Sequence, residues 1–455
     1  MSKSLVLSFE EHDSFSRQEF CLRLEKFILV ENDFVEGSLV VSIDAGFGSG
    51  KTTFLEMWKD SLLTRRNKGQ FEPMPVILNA WESDHCGDPL SSILAGLLQA
   101  IDDWKGNDRP DKSGLANAAK DVAWFFLGLA NEFTAKAGVN PLKAAEHSAA
   151  KKTARSKIPD FISLYRERVQ SLAKLKDELV ATFGGQTQKV IIFVDELDRC
   201  RPDYAISYLE TIKHVFDLDG IVFVLAVDLS QLESSAKALF GEGLDFDNYY
   251  RKFSHRTIQL PLPSRRDFEG LSKKYFARYL EIAGKRMSVL SAGRVLDHIP
   301  PLAKALEMRP RQIQEGFRIM GHAAATLSDD ARGNLYWGLG AGLALMSFLK
   351  VSHPSVFQRF TRGGASKEVV GLLASGLDKR EAQWWVELVV SGISGADAPL
   401  RPLVDVMFDI ATVFPNLNSV EAITANFGDA WGSNRRRLFR IGSMIENIES
   451  FFQST

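Results

Sequence analysis

Apolar residues fall in short, nearly unbroken runs through the first half of the chain. They are SLVVSIDA (Ser38–Ala45), MPVILNAW (Met74–Trp81), the start of KVIIFVDELDRCRPD (Lys189–Asp203) and GIVFVLAVD (Gly220–Asp228). Such runs suit strands buried on both faces, whereas a half-exposed strand would alternate apolar and polar positions. A fifth stretch, HRTIQLPLP (His255–Pro263), reads as a final strand that its prolines terminate. The segments between carry helical spacing. RQEFCLRLEKFILVE places Phe20, Leu22, Leu24, Phe27 and Ile28 among charges, GKTTFLEMWKDSLL follows the first strand, and PLSSILAGLLQAI (Pro89–Ile101) opens on proline, which suits a first helical position. YAISYLETIKHVF and LSQLESSAKALFG follow the third and fourth strands. Strands alternating with helices predict an α/β fold, a mostly parallel sheet covered by helices.

Two regions break the alternation. Residues 104–187 are rich in Ala and Lys, with helical stretches such as DFISLYRERVQSLAKLKDELVATF and no convincing strand. They read as a helical insertion, mobile around KGNDRPDKSG. From about residue 264 onward only helical patterns remain. The expected organisation is a core of residues 1–103 and 188–263, an insertion at 104–187, a helical lid at 264–320 and a helical C-terminal domain at 321–455. Two apolar runs, VAWFFLGLA (Val122–Ala130) and LYWGLGAGLALMSFL (Leu335–Leu349), fall short of the roughly 20 residues that span a bilayer. Both are expected to be buried helices, and no transmembrane segment is expected.

Composition narrows the function classes. The 455 residues are 45% hydrophobic and 25% charged with a net charge of -2, so the whole molecule is no electrostatic nucleic-acid binder. Basic surface is local: residues 251–320 hold 15 Lys and Arg against 6 Asp and Glu, and NRRRLFR (Asn434–Arg440) is a second cluster. Nucleic acid therefore stays open as a partner, although NRRRLFR fits a solvated helix face better than a base-stacking surface. The three cysteines, Cys21, Cys86 and Cys200, have no zinc-site spacing. With an N-terminus lacking a signal or transit pattern, they suggest a reducing, cytoplasmic setting.

The candidate chemistry lies at the end of the first strand. Ala45-Gly46-Phe47-Gly48-Ser49-Gly50-Lys51-Thr52 fits AxxxxGKT, one residue away from the GxxxxGK[ST] phosphate-binding loop. Glycines there let backbone N–H groups converge on phosphate oxygens, and the following helix N-terminus favours anions. Gly46, Phe47, Gly48, Ser49, Gly50, Lys51, Thr52 and Thr53 are the candidate nucleotide-binding residues. Lys51 would reach the β- and γ-phosphates of ATP, and the Thr52 hydroxyl would ligate Mg²⁺. Alanine at position 45 is tolerable provided its φ stays negative. VIIFVDELD supplies the carboxylates: Asp195 for Mg²⁺, and Glu196 to orient or deprotonate an attacking water. No GxSxG or HExxH offers an alternative, and the eight histidines are scattered. In YYRKFSHRTIQL, Arg251, Lys252 and Arg256 are candidates for a cation presented to a neighbouring subunit; a solvated basic turn is the competing reading. Arg311, just after Pro310 in EMRPRQIQEGFRIM, would touch the γ-phosphate from a lid helix.

In order along residues 10–320, these motifs resemble the KAP family of P-loop NTPases. DSFSRQEF (Asp13–Phe20) is similar to the family's N-terminal segment. AGFGSGKTTF is similar to its Walker A, with Phe47 for a usual tryptophan, and LNAWE (Leu78–Glu82) to its second strand end. FVDELDRCRPD is the closest match, to a Walker B that usually reads D-D-L-D-R-C, with Glu196 for a frequent Asp. VFVLAVD, YYRKF and RPRQIQ resemble later signatures. The resemblance implies an additional-strand (ASCE) P-loop NTPase in which Glu196 activates water, and a soluble branch whose insertion is polar. Bacterial members often sit in anti-phage defence or plasmid exclusion systems, which implies partner proteins. A Mg²⁺-dependent ATPase, an NTP-gated scaffold that hydrolyses little, and a DNA-stimulated ATPase all fit the motifs; a homo-oligomer is compatible with each.

Overall fold

The computed structural model describes residues 7–104, 110–122, 161–183, 190–283, 295–325, 337–394, 403–427, 430–431 and 437–450. The chain divides into two compact units. One comprises Met1–Asp13, Arg17–Phe47 and Lys51–Pro261; the other comprises Ser14–Ser16, Gly48–Gly50 and Leu262–Thr455.

In the first unit the order is α1 (Gln18–Asn32), β1 (Leu39–Asp44), α2 (Lys51–Asn67), β2 (Met74–Asn79), α3 (Pro89–Asp103), α4 (Phe161–Phe183), β3 (Val190–Asp195), α5 (Pro202–Val215), β4 (Ile221–Val227), α6 (Leu229–Phe240) and β5 (Arg256–Gln259). The sheet runs β2-β3-β4-β1-β5, and every pairing is parallel. β4 therefore lies between the strand that leads into the phosphate loop and the strand that ends in acids, the additional-strand arrangement.

The strand period of two explains the unbroken apolar runs. Val190, Ile192, Val194, Phe223 and Leu225 pack into one core, with α3 and α5 residues such as Leu97 and Tyr208. The alternate residues Ile191, Phe193, Val222, Val224 and Ala226 pack into another, with Phe54 and Trp58 of α2 and Leu24 of α1. Both faces are thus covered, and β3 and β4 have no exposed position. α3 begins where the sequence signals it: Asp88 accepts N–H bonds from Leu90 (3.2 Å) and Ser91 (3.1 Å), ahead of Pro89. β5 is a short edge strand with an exposed pattern, and Leu260 makes the last ladder bond, to the Asp44 carbonyl at 3.0 Å. Pro261 follows and has no N–H to donate.

Within the insertion, residues 113–122 and α4 are helical. Leu115, Ala118, Val122, Leu175, Leu179 and Phe183 join the core beside β2 and β3. Residues 105–109 of KGNDRPDKSG and 123–130 of VAWFFLGLA lie outside the described residues.

The second unit is helical throughout its described elements. It contains α7 (Arg265–Ala283), α8 (Val295–Ala305), α9 (Pro310–Ala325), α10 (Trp337–Ser352), α11 (Pro354–Thr361), α12 (Ser366–Gly376), α13 (Lys379–Ser394), α14 (Leu403–Val413), α15 (Val420–Phe427) and α16 (Arg437–Ser450). One continuous core joins Ile299, Phe317, Phe348, Phe360, Trp385 and Ile441. The apolar run expected as a buried helix is α10, whose residues from Gly340 to Leu349 are all buried. Gly338 lets it approach its neighbours: a β-carbon there would lie 2.6 Å from the Ala430 carbonyl oxygen. Among the described residues, no helix is long and apolar enough to cross a membrane. Of NRRRLFR, residues 434–436 lie outside the described set, while Leu438 is buried and Arg440 exposed.

Candidate functional site

The loop between β1 and α2 is fixed at its base. Asp44 accepts the Leu229 N–H at 3.0 Å and the Gln259 side-chain amide at 2.6 Å. Ala45 donates to the Val227 carbonyl at 3.0 Å, extending the β1–β4 ladder one residue. Positive φ falls on Gly48 (77°) and Gly50 (87°), and Ala45 is not among the left-handed residues. The replaced glycine is thus at a position that needs no glycine conformation. Phe47 donates its N–H to Asp228 Oδ2 at 3.2 Å. Lys51 turns back along the loop: Nζ donates to the Ala45 carbonyl at 2.5 Å and lies 3.8 Å from Asp198 Oδ2.

The second half of the site is the end of β3. Register sets Asn79 of β2 opposite Asp195. Asp195 is only 3% exposed, accepts the Glu196 N–H at 2.9 Å and bonds the Thr52 side chain. Burial pushes its carboxyl up, against the Thr52 and Glu196 bonds and the charge of Lys51. A buried carboxylate sharing a hydrogen bond with a hydroxyl suits Mg²⁺, which takes one or two protein oxygens and completes its shell with water and phosphate.

Glu196 follows in a left-handed conformation, φ 61° and ψ 22°, which costs a non-glycine residue about 1–3 kcal/mol. Its Oε1 lies 2.8 Å from Arg199 Nη1, and its Oε2 accepts from Asn79 Nδ2 at 3.2 Å. Asn79 is itself fixed, because its Oδ1 accepts the N–H groups of Trp81 (3.1 Å) and Glu82 (3.2 Å) at the start of a short helix. The Arg199 guanidinium sits 4.6 Å from the centre of the Phe47 ring.

Lys51, Thr52, Asp195 and Glu196, predicted from two motifs far apart in sequence, are thus brought together where β1 and β3 flank β4, with Thr52 bonded to Asp195. Three further residues were not singled out from sequence. Asp198, the last acid of DELD, has a side chain only 6% exposed; burial pushes its carboxyl up, opposed by Lys51 and reinforced by Asp228. Its place in the DELD run was the available signal. Asn79 and Arg199 act on Glu196; both lie in runs that resemble family signatures, LNAWE and DELDRC, but those runs assign neither a role.

The predicted cations are placed less centrally. Arg251 is exposed at the end of the short helix Phe246–Tyr250. Lys252 lies 5.4 Å from the Tyr249 ring centre, and Arg256 pairs with Glu31 at 2.8 Å. Among the described contacts, none joins these three to Lys51, Asp195 or Glu196. In the second unit, Arg311 donates its N–H to the Gly48 carbonyl at 3.4 Å, and its side chain is exposed.

A five-stranded parallel sheet with an intercalated strand, a glycine loop opening onto a helix and a buried acid opposite define the P-loop NTPase class of fold. The chain belongs to the KAP family, whose P-loop domain model matches residues 18–322. An uncharacterized protein of Methanocaldococcus jannaschii, MJ0182, is 32% identical over 108 residues, covering 21% of this chain and 55% of that protein. The chain thus spans about half the length of that curated relative. Among solved structures, the Aeropyrum pernix ORC2 protein in ADPNP–ADP complexes aligns over 96% of this chain and 95% of its own, at 12% identity and a TM-score of 0.34. The Aeropyrum pernix ORC1 protein in complex with DNA aligns over 88% and 83%, at 14% identity and 0.31.

Proposed function

We propose that this protein binds ATP with Mg²⁺ and hydrolyses the β–γ phosphoanhydride, using the cycle to switch its helical second unit within a multi-protein assembly. The observation that carries this reading is the convergence of Lys51, Thr52, Asp195 and Glu196 where β1 and β3 end. Gly46, Phe47, Gly48, Ser49, Gly50, Thr52 and Thr53 would line the phosphates through backbone N–H groups and hydroxyls. Lys51, released from the Ala45 carbonyl and Asp198, would move onto the β- and γ-phosphate oxygens and neutralise their charge. Mg²⁺ held by Thr52 and Asp195 would supply electrophilic stabilisation of the phosphates. Glu196 would orient a water and accept its proton. Arg311 would report the γ-phosphate to the lid residues 264–320, and Arg251 would act on a neighbouring copy's nucleotide if the chain assembles with itself.

The direct test is Glu196→Gln. Retained ATP binding with phosphate release reduced at least ~100-fold is expected, the scale of removing a group that acts in the transition state; turnover at the wild-type rate would remove Glu196 from the role of base.

The structure also carries an observation favouring a second reading, an NTP-gated scaffold that hydrolyses slowly: both carboxylate oxygens of Glu196 are already engaged. Steady-state phosphate release, alone and with DNA or candidate partner proteins added, separates the two and covers the DNA-stimulated case. A cytoplasmic role in anti-phage defence rests on the family resemblance and on three free cysteines. Loss of phage resistance in cells carrying Lys51→Ala is its test, and unaltered resistance would refute it.

A further inference from the structure

A general base must turn a carboxylate oxygen toward the water it will deprotonate. In this structure the direction of the Glu196 carboxylate is already set by two partners, Arg199 on Oε1 at 2.8 Å and Asn79 on Oε2 at 3.2 Å. The two differ in freedom. Asn79 ends a strand in register with β3, and its Oδ1 caps the next helix, so its amide nitrogen is aimed at Glu196 by backbone geometry. Arg199 sits on a single helical turn, Leu197–Arg199, with a side chain 34% exposed. Its guanidinium rests 4.6 Å from the Phe47 ring centre and 6.0 Å from that of Trp81. Both rings are themselves exposed, at 45% and 52%. Arg199 is therefore the partner that can leave at little cost, and Phe47 is part of the phosphate-binding loop.

We infer that Arg199 is a positioning residue that restrains Glu196. It holds the carboxylate off the attacking water while the exposed rings of Phe47 and Trp81 are uncovered, and the loop residue Phe47 is the seat that keeps it there. Rearrangement of Phe47 by a protein that covers the exposed rings frees Arg199 and with it the base. Arg199 neither takes up nor donates a proton in the reaction; it acts only through Glu196. The inference rests on the reading of Glu196 as the water-activating base.

The test compares wild-type protein with Arg199→Gln, Arg199→Lys, Glu196→Gln and the Arg199→Gln/Glu196→Gln double variant. Phosphate release is followed under saturating MgATP, and binding with a fluorescent ATP analogue. Arg199→Gln is expected to raise kcat about 5-fold, the factor that one partly exposed ion pair is worth, with nucleotide affinity within about 2-fold of wild type. Arg199→Lys keeps the cation and is expected to stay near the wild-type rate. The double variant should be as inactive as Glu196→Gln, because the gain passes through Glu196. A lower or unchanged kcat in Arg199→Gln, or a Lys variant as fast as the Gln variant, overturns the restraint while leaving the ATPase reading intact. A Glu196→Gln protein that turns over at the wild-type rate removes the ATPase reading and this inference together.

Discussion

The two units bury polar groups for different ends. In the first, carboxylates gather where strands stop: Asp195, Asp198 and Asp228 surround the reach of Lys51, and Asp84 holds Arg201 through a 3.0 Å bond to Nε. Two of these acids are pushed above their ordinary range by burial and are only partly compensated. In the second unit the buried Glu387 and Ser391 find neutral partners. Glu387 of α13 accepts from Gln383 and, at 2.5 Å, from Asn418, while Ser391 accepts from the Trp431 indole at 3.0 Å. Uncompensated charge costs stability and persists where a ligand supplies the missing partner. Hydrogen bonds from neutral side chains to Glu387 and Ser391 instead tie neighbouring helix segments together. The contrast separates a region arranged to receive charge from one arranged to hold shape.

Lys51→Ala presses the comparison hardest. Removing the cation that faces Asp195 and Asp198 should abolish hydrolysis, by at least ~100-fold in steady-state phosphate release. A substantial residual rate would mean that the acids gather for some purpose other than a nucleotide. Trp385→Ala tests the other side. Its ring is fully buried in the helical core, so the variant should lose about 3–5 kcal/mol in a denaturant titration that follows the second unit. A loss below about 1 kcal/mol would contradict shape-holding as that region's task.

A smaller effect lies in the pH dependence of the nucleotide-free protein. Because the Asp198 carboxyl is raised in the folded state, that state binds more protons than the unfolded chain above the ordinary value of 3.8. The contribution of Asp198 to stability therefore falls as pH rises from that value through the raised one. Asp198→Asn should remove this slope, so its stability relative to wild type should improve with rising pH across that window. A difference that does not vary with pH would show that Asp198 is compensated. The smallest expected difference is in thiol labelling. Cys86 is exposed and should react first with a maleimide, whereas Cys21 and Cys200 are buried, with the Cys200 thiol pushed up to about 12 by burial. Equal labelling rates would place the core around them in question.

Much of this was legible in the chain. Apolar runs of strand length located β1 to β4, and the loop and the DELD run located the two halves of the site. What sequence could not supply was sideways information. Asn79 meets Glu196 across 117 residues because β2 and β3 pair in one particular register, which hydrophobic pattern leaves undetermined. Arg199 matches the Arg of the D-D-L-D-R-C run in sequence, but its role shows only when its guanidinium is found on Glu196 and Phe47. Ala45 was the opposite case. The motif made it look like a defect, and the backbone put the left-handed positions at Gly48 and Gly50 instead.

The place of β4 also sets a timetable. β1 and β3 are not neighbours; each pairs with β4, which lies between them. As the chain leaves the ribosome, the loop emerges early and the acids of β3 much later, yet neither can register against the other until Ile221–Val227 arrives. Nucleotide therefore cannot act as a template for the earliest folding steps. A nascent chain halted before β4 would carry both motifs and no site. Non-local parallel pairing of this kind is slow to form, which makes the interval before β4 the period when exposed strands most need protection from aggregation.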